Sequence, residues 1–556
     1  MRIASFALVC LAGICASQTP EQAVRYRKLC QEAENPFRLR DMPKVVELLG
    51  EATAIYDRDG DVVWRYGQAL LAQKRYPEAI QTLLKAEKLG GFANKFASVV
   101  AYDLACAHAL QGEIDPAFRD LERAMALGFR DLGHLRSDAD LESLRKDPRW
   151  AKVARLKDVA KMSRDDAWRY DLELMDGEAR RKHFSPYTKH TKREFDDYVA
   201  KLKRDIPKLT DNQIRAAFIK YMAMFGDGHT SIRPSQGTPE AQQVPLQLFW
   251  FKEGVFVTLA GPGAEDLAGA QLLRVEGRPV DDVLELARPY SSYENEQGYR
   301  AASVGWLLRP AWLQATGISK QDGAVAYRIR DLAGVERDVV LKKGSATPNA
   351  DWVNARKASG KPDPLYLKNR TTPYWFETIA DRKLLYFQYN AVSDMPKEST
   401  AEFAVRLAKE LEGDIDTLVV DVRWNGGGNS FLNGPLTHAI LKSKQNRPGH
   451  LFVIIGRNTY SACQNFSTDL ARETDALFVG EPTGSSPNFI GESVRTTLPT
   501  SKMTMSVSDL YWQRSWPMDE RTWIPPDLPA EPAFAVFKEN RDPAMEAIEA
   551  FLASKS

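Results

Sequence analysis

Three continuous apolar runs constrain this chain more than any other feature: Leu384-Leu385-Tyr386-Phe387, Thr417-Leu418-Val419-Val420-Asp421-Val422 and Leu451-Phe452-Val453-Ile454-Ile455. A strand with one wet face alternates apolar and polar residues, so a run that is apolar throughout has both faces covered. Stretches with the spacing of amphipathic helices separate the runs. Buried strands alternating with helices describe an α/β sheet covered on both sides, here over residues 373–545. A chain of 556 residues exceeds one core. At roughly 150 residues per domain it should form about three or four units.

The preceding segments read differently. Residues 344–372, rich in Lys, Pro, Asn and Asp, are expected to be a linker. From 244 to 343 short β-rich runs dominate, among them Val255-Phe256-Val257-Thr258-Leu259 and Gln271-Leu272-Leu273-Arg274-Val275. Tyr327-Arg328-Ile329-Arg330 and Asp338-Val339-Val340-Leu341 should form a hairpin around Gly334. The region resembles a PDZ-like module with a helical insertion at 290–318. Residues 163–235 are mostly helical, with Phe195, Tyr198, Leu202, Ile206 and Leu209 at three-to-four spacing. That stretch breaks at Gly226-Asp227-Gly228-His229-Thr230, a tight turn leading into a strand.

Residues 20–160 are helical and repetitive. Ala52, Ala86 and Ala124 recur, each preceded seven residues upstream by Val45, Ala79 or Ala117, and Ala33, Gly67 and Ala105 stand twelve residues before those. Small residues at such places let paired helices approach closely, and the pattern resembles tetratricopeptide repeats. Residues 1–17 read as a signal peptide: Arg2, an apolar run from Ile3 to Ile14, then Ala16 and Ser17. The expected location is therefore periplasmic or secreted. Val9 and Ile14 precede Cys10 and Cys15 where a lipid anchor wants a small residue, and no later segment is apolar for long enough to span a membrane. Cys30, Cys106 and Cys463 remain after cleavage. They form no disulfide framework or zinc pattern, although one bond between Cys30 and Cys106 stays open. Lys+Arg 75 against Asp+Glu 74 gives no global field for nucleic acid.

Two segments carry chemistry. Asp421-Val422-Arg423-Trp424-Asn425-Gly426-Gly427-Gly428-Asn429 runs a buried strand into three glycines, leaving backbone N–H groups to meet an anion. Thr459-Tyr460-Ser461-Ala462-Cys463 puts a serine at a sharp strand-to-helix junction, where its hydroxyl is presented above the sheet. Alone, each fits a structural turn or a helix cap. In combination with Val479-Gly480-Glu481-Pro482-Thr483-Gly484 and the upstream Gly-Asp-Gly-His-Thr, they resemble the tail-specific (C-terminal processing) protease family of serine peptidases, especially its tricorn-core-like branch. The likeness covers about 165–545.

That resemblance implies a ClpP/crotonase-like α/β peptidase core interrupted by the PDZ-like module and preceded by the helical array. It implies Ser461 as nucleophile and Gly427, with Gly428 as a neighbour in register, joining Ala462 in the oxyanion hole. One branch uses a lysine base in the turn that here reads Gly480-Glu481-Pro482-Thr483-Gly484-Ser485-Ser486. No lysine stands there, and the next is Lys502. The other branch implies His229 as base, oriented by an acidic residue at Asp519 or Glu520. An imidazole near its ordinary pKa of about 6.5 would make activity fall as pH drops through roughly 6–7. The chain departs from that branch in carrying Gly228 where a serine precedes the histidine. It also carries Ala462 where an acid follows the nucleophile. The expected substrate is a peptide or unfolded protein, with a protein partner on the array and no metal or organic cofactor. The competing reading is a non-catalytic ligand- or protein-binding member of the same fold.

Overall fold

The computed structural model describes residues 19–91, 96–129, 131–154, 159–321, 323–344, 347–356 and 359–555. The expected signal peptide lies outside the described residues, as do Cys10 and Cys15. Contacts divide the chain into two compact units, residues 1–158 and 159–556.

In the first unit, helices Pro20–Arg38 and Met42–Ile55, Gly60–Ala72 and Tyr76–Leu89, and Phe96–Gln111 and Ile114–Ala126 form three successive hairpins. The small residues sit where the pattern requires them: Val45, Ala52, Ala79, Ala86, Ala105, Ala117 and Ala124 are wholly buried. A Cβ on Gly67 would lie 2.8 Å from Leu83 Cδ2, so a larger residue there would displace the buried Leu83 side chain. Thr19 closes the first helix with a capping box, and Asp41 and Asp59 cap the next two starts. Cys30 packs in the first hairpin and Cys106 in the third. Both are free, so the bond left open by the sequence does not form.

The second unit is built on the sheet that the apolar runs announce. Its order is Leu528–Pro529, Leu477–Gly480, Leu451–Ile455, Thr417–Asp421, Leu384–Tyr389 and Tyr374–Ile379. All neighbours are parallel except the edge strand Tyr374–Ile379. Helices Thr400–Leu411, Asn433–Lys442 and Ala462–Glu473 cover one face, and Pro543–Ala553 covers the other. Every residue of Thr417–Asp421 and Leu451–Ile455 is buried. Each fully buried Val, Leu or Ile contributes about 1.5–3 kcal/mol, which accounts for the unbroken runs.

A separate antiparallel sheet runs Leu246–Phe251, Gly254–Ala260, Gln271–Val275, Ala324–Arg330 and Glu336–Lys342, the last two forming the expected hairpin. Residues 344–372 are not the linker that their composition suggested. Val353–Asn354 pairs with Leu259 and Ala260, and Trp352, Ala355 and Tyr366 are buried. The apolar residues dispersed among the Lys and Pro give this segment something to bury. The last helix ends at Ala553, beyond the boundary expected at 545.

Two buried ion clusters brace the C-terminal ends of the central strands. Arg423 bridges Asp421 and Asp542, the latter through two bonds of 2.8 and 2.9 Å. Arg457 pairs with Glu481 at 2.6 Å and donates to the Trp250 carbonyl at 2.7 Å, tying the antiparallel sheet to the parallel one.

Two outcomes follow. Residues 159–556 expressed alone should stay soluble and fold cooperatively, as followed by circular dichroism; persistent aggregation would make the helical array part of the same folding unit. Arg457→Ala strands a buried Glu481 and should cost about 3–5 kcal/mol in denaturant unfolding.

Candidate active site

Ser461 stands between strand Leu451–Ile455 and helix Ala462–Glu473, with φ 55° and ψ −125°. A non-glycine residue there stores about 1–3 kcal/mol of strain, which the surroundings must hold. They do so with a dense set of bonds. Thr459 Oγ1 donates to the Val422 carbonyl and accepts the Gly456 N–H, both at 3.1 Å. The Tyr460 N–H meets the Asn425 carbonyl at 3.1 Å, and the Gly484 N–H meets the Thr459 carbonyl at 3.2 Å.

The triple-glycine turn lies against this elbow. A Cβ on Gly427 would fall 2.7 Å from Ser461 Cβ and 2.8 Å from Ala462 N, and one on Gly428 would fall 2.1 Å from the Val392 carbonyl oxygen. Both glycines have positive φ, 104° and 146°. The Gly427 N–H, however, is turned to Asn425 Oδ1 at 2.9 Å. Among the described residues the Gly428 and Ala462 N–H groups have no hydrogen-bond partner, so these two remain open to an oxyanion.

His229 lies in the turn between helix Asp211–Ala223 and strand Ser231–Arg233. Asp227 builds its turn by accepting the His229 N–H at 2.8 Å, the Thr230 N–H at 2.7 Å and the Ser508 hydroxyl at 2.7 Å. Its second oxygen meets His183 Nε2 at 2.9 Å. Burial would raise the Asp227 carboxyl, but His183 and the hydrogen bonds hold it below its ordinary value. So fixed, His229 places Nε2 2.9 Å from Ser461 Oγ, across 232 positions of sequence. Its ring lies between Tyr460 and Phe489, with centroids at 4.6 and 5.6 Å. Burial pushes the imidazole down to about 4, against a smaller upward pull from Asp227 and the Ile490 carbonyl. At neutral pH it is therefore an uncharged imidazole.

The structure corrects the expected acidic partner. Neither Asp519 nor Glu520 reaches His229. Asp519 pairs with Arg521 at 2.6 Å and with the Ser515 hydroxyl, and Arg521 holds its carboxyl well below the usual range. Glu520 is exposed. Both occupy the short turn after Trp516, where the Asp519–Arg521 contact is local. The carboxylate beside the imidazole is Glu294, with Oε1 3.7 Å from Nδ1. Its Oε2 accepts the Ser485 hydroxyl at 2.6 Å and the Ser486 N–H at 3.0 Å. Glu294 lies in the loop before helix Glu296–Ser303, inside a segment read as a mere insertion; no motif marks it. The lysine-free turn is thus engaged by a carboxylate, while Lys502 donates to the Pro499 carbonyl at 2.7 Å. Tyr460, unremarked beside the serine, reaches His229 Nδ1 with its hydroxyl at 2.9 Å.

No known family model matches the chain, and no curated protein does. Solved structures do. Mature CPAF in complex with lactacystin shares 13% identity at a TM-score of 0.51, covering 70% of this chain and 99% of that one. The photosystem II D1 C-terminal processing protease shares 15% identity at a TM-score of 0.34, covering 70% of this chain and 97% of that one. The tricorn protease shares 13% at 0.35, covering 71% of this chain and 37% of that one. The first likeness carries the comparison, and at such identity it is one of architecture. In fold, the chain is similar to mature CPAF.

Proposed function

We propose that this protein is a serine peptidase in which Ser461 attacks the peptide carbonyl and His229 takes its proton. The observation that carries the reading is the strained Ser461 with its hydroxyl 2.9 Å from a largely buried, neutral imidazole. A serine hydroxyl is a weak nucleophile by itself, and an adjacent base of this kind activates it. As Oγ bonds to the carbonyl carbon, its proton passes to Nε2 and the carbonyl electron pair becomes an oxyanion. The Ala462 and Gly428 N–H groups would receive that charge, with Gly427 kept side-chain-free so that the turn can close on the elbow. The imidazolium then gives its proton to the leaving amine, and water releases the acyl group by the reverse sequence.

The surroundings suit a peptide. Phe431 is exposed and stands 6.3 Å from Trp512. Asn465 Nδ2 ties the Phe431 turn to the nucleophile's helix through Ser430 at 2.8 Å. Within this reading the antiparallel sheet is a PDZ-like module, the parallel core is ClpP/crotonase-like, and the three hairpins are tetratricopeptide-like and offer a surface to a protein partner. An exported protein fits the leader-like first 17 residues. Among the described residues no helix is long and apolar enough to cross a membrane.

A fluorophosphonate should label Ser461 covalently, and Ser461→Ala should abolish both labelling and peptide hydrolysis. His229→Ala should lower turnover by about 10²-fold or more, whereas Lys502→Ala should leave it within about twofold. Hydrolysis that survives Ser461→Ala would place the chemistry elsewhere.

A further inference from the structure

We propose that Glu294, acting through the Tyr460 hydroxyl, holds His229 in its Nδ1–H tautomer and steadies the imidazolium formed when Ser461 attacks. This rests on the assignment of Ser461 and His229 as nucleophile and base. Two oxygens face Nδ1: the Tyr460 hydroxyl at 2.9 Å and Glu294 Oε1 at 3.7 Å. A proton on Nδ1 satisfies that surrounding and leaves the Nε2 lone pair facing the serine hydroxyl. The Tyr460 hydroxyl has one proton of its own. Glu294 Oε1 is buried and, among the described residues, has no hydrogen-bond partner, so it is the acceptor to which that proton can turn. The two groups act on each other electrostatically, and Tyr460 is held far above an ordinary phenol by burial and by this carboxylate.

Gly228 makes room for the arrangement. A Cβ there would lie 2.1 Å from the Tyr460 hydroxyl oxygen, so the glycine before the histidine and the tyrosine before the serine form one device. Tyr460 and Glu294 are positioning residues. No proton leaves them, because the serine proton moves only to Nε2 and from there to the leaving amine.

Charged groups surround Glu294 on several elements. His229 faces it and is neutral at rest. Asp227 raises its pKa but is itself paired with His183, and Arg233 acts on Tyr460. Lys189, His190, Glu194, Asp197, Lys201, Lys220, Glu285 and Arg288 line the open cleft beside it. Burial pushes the carboxyl up to about 7, against Ser485, Ser486 and Tyr460, which pull it down. It is therefore ionised above that value and neutral below it, whereas His229 stays uncharged until about 4. A neutral carboxyl cannot steady an imidazolium, so reactivity should fall as pH drops through about 7.

The test is the rate of fluorophosphonate labelling of Ser461 between pH 5 and 9, with thermal unfolding as a check on folding. Wild type should lose about tenfold or more on going down through pH 7. Glu294→Gln should be slower than wild type by about tenfold at pH 8 and flat across that range, and Tyr460→Phe should show the same change more mildly. Imidazole nitrogen chemical shifts, which need no catalysis, should report Nδ1–H in wild type and a tautomer mixture in Tyr460→Phe. A limb near pH 7 that persists in Glu294→Gln overturns the proposal, as does its disappearance in Glu520→Gln instead. An Nε2–H tautomer in wild type overturns it as well. Folded wild type that is never labelled would instead defeat the nucleophile assignment, and the nitrogen shifts would still decide the tautomer.

Discussion

The site depends on the parallel pairing of Thr417–Asp421 with Leu451–Ile455. Parallel neighbours bring their C-terminal ends to the same edge of a sheet. Here that rule sets the triple-glycine turn beside the serine elbow, so closely that a single methyl on Gly427 would strike Ser461. The unpaired amides of the glycine turn and the Ser461 hydroxyl lie side by side only because two strands from different parts of the chain are in register. The hydrophobic burial that holds the strands together therefore also positions the chemistry.

Charge buried at that edge reinforces the register. Asp421, Arg423 and Asp542 form one network, and Arg457 and Glu481 form another. Removing such groups from water costs several kcal/mol per ion, so these pairs are weak grounds for stability alone. Their geometric effect is clearer. Each is satisfied in a single arrangement, and each fixes the residue at which a strand stops and a functional turn begins. Arg457 also reaches the Trp250 carbonyl, so the antiparallel sheet is registered against the same edge.

Burial sets the chemistry of the imidazole as well. His229 is reached by Asp227, whose carboxylate supports the turn and does not contact the ring. A solvated histidine would titrate near 6.5, but one stacked between Tyr460 and Phe489 is driven down to about 4. The pH response anticipated from an ordinary histidine thus passes to another group in the same cluster, Glu294.

What the sequence determined by itself was whatever depends on local pattern. Continuous apolar runs specified buried parallel strands, because only a strand covered on both faces needs them. Recurrent small residues specified close helix pairs, and glycines and a serine at strand ends specified the turns. Composition misled at 344–372, where polar residues outnumber but do not prevent the burial of Trp352, Ala355 and Tyr366. The carboxylate beside His229 was not legible at all. Asp519 and Glu520 were implied by the family resemblance as acids near the C-terminus, yet Asp519 is paired with Arg521, two residues away. Glu294 carries no motif. It became the partner of His229 only because tertiary packing buries it between Ser485, Ser486 and the imidazole, and proximity between residues 65 positions apart is decided by the whole fold.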